Sequence, residues 1–255
     1  MRRRAPVLAA ILILSAAITG CAYTNDLPGE THDPWESFNR DAFSMNVGLD
    51  QAVMQPISST YTKVLPSWTR EAVFNFFKNA AYPKVIVNQF LQGKLIDGLN
   101  DIGRFVINST FGLGGLIDFA GGLEDEDGRA SFPEHEEDFD QTLATWGVPS
   151  GPYMELPFIG PRSVRAALMI IPDGYFNVTT LAYDTTANIA LFGVETVNDR
   201  ARVEGAIRLR DETALDPYVF QREGYLQRRR SLIFDGNPPL EDFDLEEGEG
   251  ESTTQ

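Results

Sequence analysis

Apolar positions recur along this chain at two scales. Near the start, Arg2-Arg3-Arg4 precedes an apolar run from Val7 to Ile18, and Ile18-Thr19-Gly20 leads into Cys21. A basic start, a short apolar stretch and small residues before a cut predict a secretory signal over residues 1–20. Cysteine directly after the small residues fits a lipobox, whose thiol takes diacylglycerol and becomes the mature N-terminus. Cys21 is the single cysteine, so no disulfide framework competes for it. Beyond a polar tether at residues 21–32, spacings of three and four take over. Asp33-Pro34-Trp35-Glu36 reads as a capping-box helix start, and Trp35, Phe38, Ala42 and Met45 then line one helical face.

The same period continues. Ser67 is expected to cap a helix through about Ala81, with Val73, Phe77 and Ala80 on one side and Phe74 and Phe76 widening the apolar face. Pro83 is expected to start another, carrying Val85, Ile86, Val87, Phe90 and Leu91, with Gly93 at its end. Leu95, Leu99, Ile102 and Val106 define a further helix. Gly98 and Gly103 lie inside it at a cost of about 1 kcal/mol each relative to alanine, so close backbone approach or fraying accounts for them. Glycine and proline mark residues 146–161 as an irregular, ordered loop. Helices are expected at 162–171, 179–191 and 194–213, and from Asp216-Pro217 to about Arg230. The pattern is all-α, with a helical domain over residues 33–234. The tail, 235–255, is acidic: from Glu241 to Gln255 it holds seven carboxylates and no basic residue, a composition that favours disorder.

Charge narrows the partners. Without the signal, 235 residues carry 18 basic and 37 acidic side chains, a formal charge of −19. Such a surface repels nucleic acid and gives no polybasic grip on anionic lipid. Attachment to a membrane must then be apolar, through acyl chains worth about 0.8 kcal/mol per buried CH₂. The longest charge-free stretch after the signal, Gln141 to Met154, has fourteen residues, short of the roughly 20 that cross a bilayer.

Candidate chemistry is sparse. Glu134-His135-Glu136-Glu137-Asp138 resembles a metal site but lacks a second histidine four residues on, and a solvated acidic loop is the better reading. The glycines at 112, 114 and 115 have neither the lysine of a phosphate loop nor the spacing of a dinucleotide fingerprint. No serine elbow is present. Neither a catalytic constellation, a cofactor site nor a metal site is expected; the only covalent group expected is the acyl modification of Cys21. The apolar density from Phe74 to Leu91 suits either a core or a helix lying in one leaflet, buried roughly 5–10 Å. Phe74, Phe76, Phe77, Ile86, Phe90 and Leu91 are the candidate membrane-facing residues.

Asp33-Pro34-x-Glu36-x-Phe38-Asn39-Arg40 behind a lipobox resembles the start of the MlaA (VacJ) lipoproteins. The likeness continues at Val87-Asn88-Gln89-Phe90-Leu91-Gln92-Gly93, Arg104-Phe105-x-x-Asn108-Ser109 and Gly112-x-Gly114-Gly115-x-Ile117-Asp118. It extends through Gln141-Thr142-Leu143-x-x-Trp146-Gly147, Gly151-Pro152-Tyr153-x-x-Leu156-Pro157 and Asp216-Pro217-Tyr218. The resemblance implies a ring of amphipathic helices in the inner leaflet of the outer membrane of a Gram-negative bacterium. An amphipathic central channel would let phospholipids misplaced in the outer leaflet descend to a periplasmic lipid-binding carrier of the Mla type. It also implies association with a trimeric porin.

On that footing Arg40, Arg104 and Arg165 are candidates to meet a lipid phosphate or to order the channel wall, with structural salt bridges as the alternative. Leu113, Gly114, Gly115, Leu116 and Ile117 are candidates for a gate, with a packed turn as the alternative. Two other classes remain open: a non-transporting adaptor lipoprotein and a phospholipid-modifying enzyme.

Overall fold

The computed structural model describes residues 33–239 except 126 and 183. The signal, Cys21, the tether and the tail beyond residue 239 lie outside the described residues. Ten α-helices are present among those described. Helix α1 (Glu36–Leu49) runs through a π-helical turn (Asp50–Met54) into α2 (Gln55–Val64). Helices α3 (Ser67–Leu91) and α4 (Leu95–Thr110) form a hairpin, and α5 (Phe139–Thr145) follows a long ordered loop. The strands β1 (Tyr153–Leu156) and β2 (Gly160–Ser163) pair antiparallel, with Tyr153 opposite Ser163. Then come α6 (Val164–Tyr175), α7 (Val178–Ala182), α8 (Thr185–Arg202), α9 (Glu204–Thr213) and α10 (Pro217–Ile233).

Packed pairs run in a closed circuit. α1 lies on β1, and β2 meets both α6 and α10. α6 and α10 meet α5, α5 meets α3, and α3 meets α8. α8 packs on α2, which continues back to α1.

Several local expectations give way to tertiary structure. Pro83 does not start a helix; it sits inside the 25-residue α3. A proline there removes one helical hydrogen bond, but the turns around it are pinned by the buried Asn79, Tyr82, Val85 and Asn88. Ser67 is the first helical residue and Pro66 holds the cap position. Asp33 does not cap α1 with its side chain, because that carboxylate is drawn inward by Asn39, Tyr218 and Arg222. The segment expected as an irregular loop contains the β-hairpin, and Arg162 and Ser163 are strand rather than helix. Helix α7 ends at Ala182, α8 runs from Thr185 to Arg202 and α9 starts at Glu204, where the sequence divided the same stretch near residue 192. Asp216, by contrast, caps α10 as expected, accepting from the Tyr218 and Val219 amides.

The two glycines inside α4 are sites of close approach. A Cβ on Gly103 would stand 2.5 Å from the Phe132 ring, and one on Gly98 would stand 3.0 Å from Phe90.

Candidate functional site

The distribution of polarity is inverted. On α4 the apolar stripe read from the sequence faces outward: Leu95, Leu99, Ile102 and Val106 are exposed, and Ile96 is 75% exposed. The opposite face, Gly98, Asp101, Arg104 and Asn108, is buried. The rest of the molecule repeats this. Buried side chains include Asn39, Asn88, Gln89, Glu155, Asn198, Arg200 and Arg222, while Trp68, Phe111, Phe158, Ile171 and Phe192 are exposed. Charged side chains are almost never fully buried unless paired, and apolar surface on this scale marks a membrane or protein contact.

Pairing is what makes the polar interior tenable, and the sequence blocks meet in it two by two. Asn39 donates to Asp33 Oδ1 (2.7 Å) and accepts from the Glu155 amide (2.9 Å), while Tyr218 and Arg222 donate to the same aspartate. The chain's first described residue, the hairpin and the last helix are thus tied at one point. Thr142 donates to Asn88 Oδ1 at 2.6 Å, and Gln92 donates to Glu137 Oε2 at 2.6 Å. Arg104 is paired with Asp118 and donates to the Phe132 carbonyl, and Asn108 donates to Asp118 Oδ1 at 2.9 Å. Arg165 donates to Asp140 Oδ1 at 2.6 Å, and Arg229 bridges Asp138 and Asp140.

The loop at 134–138 is not simply solvated. Lys78 holds Glu134, and Lys94 reaches Glu137, which is buried. His135 Nδ1 lies 2.9 Å from Asp101 Oδ1, and this contact holds the imidazole above its ordinary pKa although burial opposes it.

A cleft of about 440 Å³ lies between the end of α6, α7 and α8. Asn177, Thr179, Thr180 and Thr185 give it a polar rim, Ile189 and Phe192 give it an apolar wall, and Glu195 lies at its edge. Burial and the neighbouring Asp199 raise the pKa of Glu195, while Lys84 acts in the opposite direction.

Comparison with known proteins now places this inverted, helix-built body. The model of the MlaA lipoprotein family matches residues 31–232. The chain belongs to the MlaA lipoprotein family. It is 32% identical over 224 residues to an intermembrane phospholipid transport system lipoprotein MlaA of Escherichia coli (strain K12), covering 87% of this chain and 86% of that protein. A Haemophilus influenzae protein of the same name is 29% identical, with 88% and 89% covered. A solved structure concerned with maintenance of bacterial outer membrane lipid asymmetry matches with a TM-score of 0.68 and 30% identity. It covers 80% of this chain and 99% of the other.

Within this MlaA fold the candidate residues separate. Phe77 is a correction: only 5% exposed, it packs edge-on to Phe76 at 5.2 Å and cannot face lipid. Phe74 lies under the Arg202 guanidinium, 3.5 Å from its ring centre. Phe76 and Ile86 are half-buried, whereas Phe90 and Leu91 are exposed.

Arg104 and Arg165 are also corrected as direct phosphate contacts, because both guanidinium groups are buried against carboxylates that already neutralise them. Their contacts are those of structural salt bridges, Arg104 with Asp118 and Arg165 with Asp140. Arg40, nearer the surface, pairs with Glu36 and Asp216, both at 2.8 Å.

The turn after α4 is tied down at several points. Gly115 donates to the Asn108 carbonyl at 2.9 Å and lies so close to Asn79 that a Cβ would stand 2.4 Å away. Leu113 has a φ of 55°, and Leu113, Leu116 and Ile117 are exposed. Sequence reasoning missed the cleft edged by Glu195, since no motif links the end of α6 to α8. It also missed the buried Glu155.

Proposed function

We propose that this protein is an outer-membrane lipoprotein that removes phospholipids from the outer leaflet and passes them inward, maintaining the lipid asymmetry of that membrane. The inverted burial carries this reading. Exposed apolar helix faces suit immersion in one leaflet, and a polar, charge-paired interior suits passage of a headgroup that hydrocarbon rejects. None of the described helices is long and apolar enough to cross a membrane, which agrees with a body half-sunk in the inner leaflet and tethered by an acylated Cys21. The closed packing circuit favours a ring around a conduit. The named relatives, themselves lipoproteins of intermembrane phospholipid transport systems, favour a periplasmic Mla-type carrier as recipient. A trimeric porin is the proposed membrane partner.

No bond changes in this process, so the protein acts as a transporter and not as an enzyme. Deleting the gene should raise outer-leaflet phospholipid, and restoring it should lower it again. An unchanged outer leaflet would point to an adaptor, and release of fatty acid or head group by purified protein would point to an enzyme.

We further propose that the turn from Leu113 to Ile117 is the gate of this conduit. Gly114 tests it, having a φ of 74° and no atom within 4 Å of an added Cβ. Gly114→Ala should change lipid flux more than protein abundance; loss of abundance alone would make it a packed turn.

A further inference from the structure

The seam between α3 and α4 leaves three buried polar atoms without a partner among the described residues. They are Asn79 Oδ1 and Tyr82 Oη on α3, and Arg104 Nε on α4. Their residues are only 5%, 1% and 2% exposed, and buried polar groups are as a rule paired with protein or with ordered water. The other polar atoms of these side chains are already used. Asn79 Nδ2 donates to Ser109 Oγ at 2.9 Å, and Arg104 gives its two terminal nitrogens to the Phe132 carbonyl and Asp118.

All three side chains line one small cavity, which they share with Lys78, Asn108 and Asp118. The space open to water there is about 10 Å³, close to the roughly 10–15 Å³ that one water molecule requires. Size therefore admits one water and rejects a phosphate or a lipid headgroup. Chemistry narrows the occupant in the same direction. A cation would meet the Arg104 guanidinium, and an anion would meet Asn79 Oδ1 and the Asp118 carboxylate. The charges at the cavity are also matched already, Lys78 by Glu134 and Arg104 by Asp118. Water can accept from Arg104 Nε and Tyr82 Oη and donate to Asn79 Oδ1. Burial holds the Tyr82 hydroxyl in its protonated, donating form, and three hydrogen bonds is the usual number for a buried water.

We propose that this cavity is a binding site for a single ordered water, which joins α3 to α4 beneath the turn that follows α4. The turn stands on the residues that would hold this water. Gly115 packs against Asn79, and Arg104 and Asn108 both hold Asp118. The inference goes beyond lipid transport and holds whether or not the turn is a gate.

The direct test is a crystal structure of the full acylated protein in detergent, at a resolution that shows ordered water. One peak should lie about 2.7–3.2 Å from each of Asn79 Oδ1, Tyr82 Oη and Arg104 Nε. Crystals grown in bromide should give no anomalous signal at that peak.

Tyr82→Phe tests the same site in solution, because the sign of its effect depends on the water. With the water in place, the variant loses one buried hydrogen bond, and the thermal midpoint in detergent should fall by about 2–4 °C. Amide protection at residues 112–118 should fall about fivefold. Without the water, the substitution removes an unpaired buried hydroxyl, and the midpoint should stay or rise. No peak in the cavity, an anomalous bromide signal there, or a Tyr82→Phe chain as stable as the wild type would overturn the water site. Unchanged protection at residues 112–118 would overturn its place beneath the turn.

Discussion

The outward stripe of α4 offers a perturbation whose effect has opposite signs in water and in lipid. Ile96 and Leu99 are 75% and 63% exposed, so a double substitution Ile96→Gln, Leu99→Gln takes little packing from the protein. Glutamine forms helix about as well as leucine and better than isoleucine, and formal charge does not change. Fully burying such a side chain is worth about 1.5–3 kcal/mol. Scaled by these exposures, immersion in a leaflet gains about 1–2 kcal/mol at each position and about 3 together. That corresponds to roughly a hundredfold change in partition. The assay is flotation with liposomes of a Cys21→Ala chain lacking the signal, so that only the helical body holds lipid. Binding should fall on the order of a hundredfold while the unfolding temperature in detergent stays within a degree or two. Unchanged flotation would refute immersion of this face, and a large loss of thermal stability would mean that the stripe packs against protein.

Three other outcomes follow from the polar interior. Arg104→Ala strips the partner from Asp118 and should cost about 3 kcal/mol, the low end for a broken buried pair because Asp118 is partly exposed; thermal unfolding in detergent reads it. Gly103→Ala drives a methyl into Phe132 and should destabilise by about 1–3 kcal/mol despite the better helix former; Phe132→Leu in the same chain should restore most of it. The His135–Asp101 contact makes the loop pH-sensitive. Because the folded imidazole binds its proton more tightly than the ordinary 6.5, the stabilisation is complete below that pH and is lost as pH rises past the raised folded value. Amide protection at residues 134–137, taken relative to the intrinsic exchange rate at each pH, should therefore fall on alkalinisation through this range, and Asp101→Asn should abolish that fall.

Periodicity made α4 readable and left its orientation undetermined. Leu95, Leu99 and Ile102 announce one apolar face, but the spacing is the same whether that face meets a core or acyl chains. Resolving it takes the opposite face: Asp101, Arg104 and Asn108 are too polar to be buried unless each has a partner, and Asp118, His135 and the Ala120 amide are those partners. The motif blocks were legible as blocks, yet their use was not. Asn39 and Glu155 meet only because the chain returns on itself, and nothing near either residue signals the other. Local rules also failed at Pro83, where the buried neighbours Asn79, Tyr82 and Val85 outweigh one lost hydrogen bond. The hairpin hid for a different reason: two strands of four residues, one of them holding Pro161, are too short for an alternating pattern to register.

Once the apolar faces are given to lipid, they no longer hold the helices together, because acyl chains solvate leucine as well as another leucine does. Cohesion must come from the interior pairs, and their geometry then fixes the shape. Arg165 with Asp140, Arg200 with Asp50 and Arg222 with Asp33 each join elements distant in sequence. Each such pair is expensive to break, since the abandoned charge stays buried, so the elements of the circuit cannot slide past one another. A wall stiffened in this way is costly to deform.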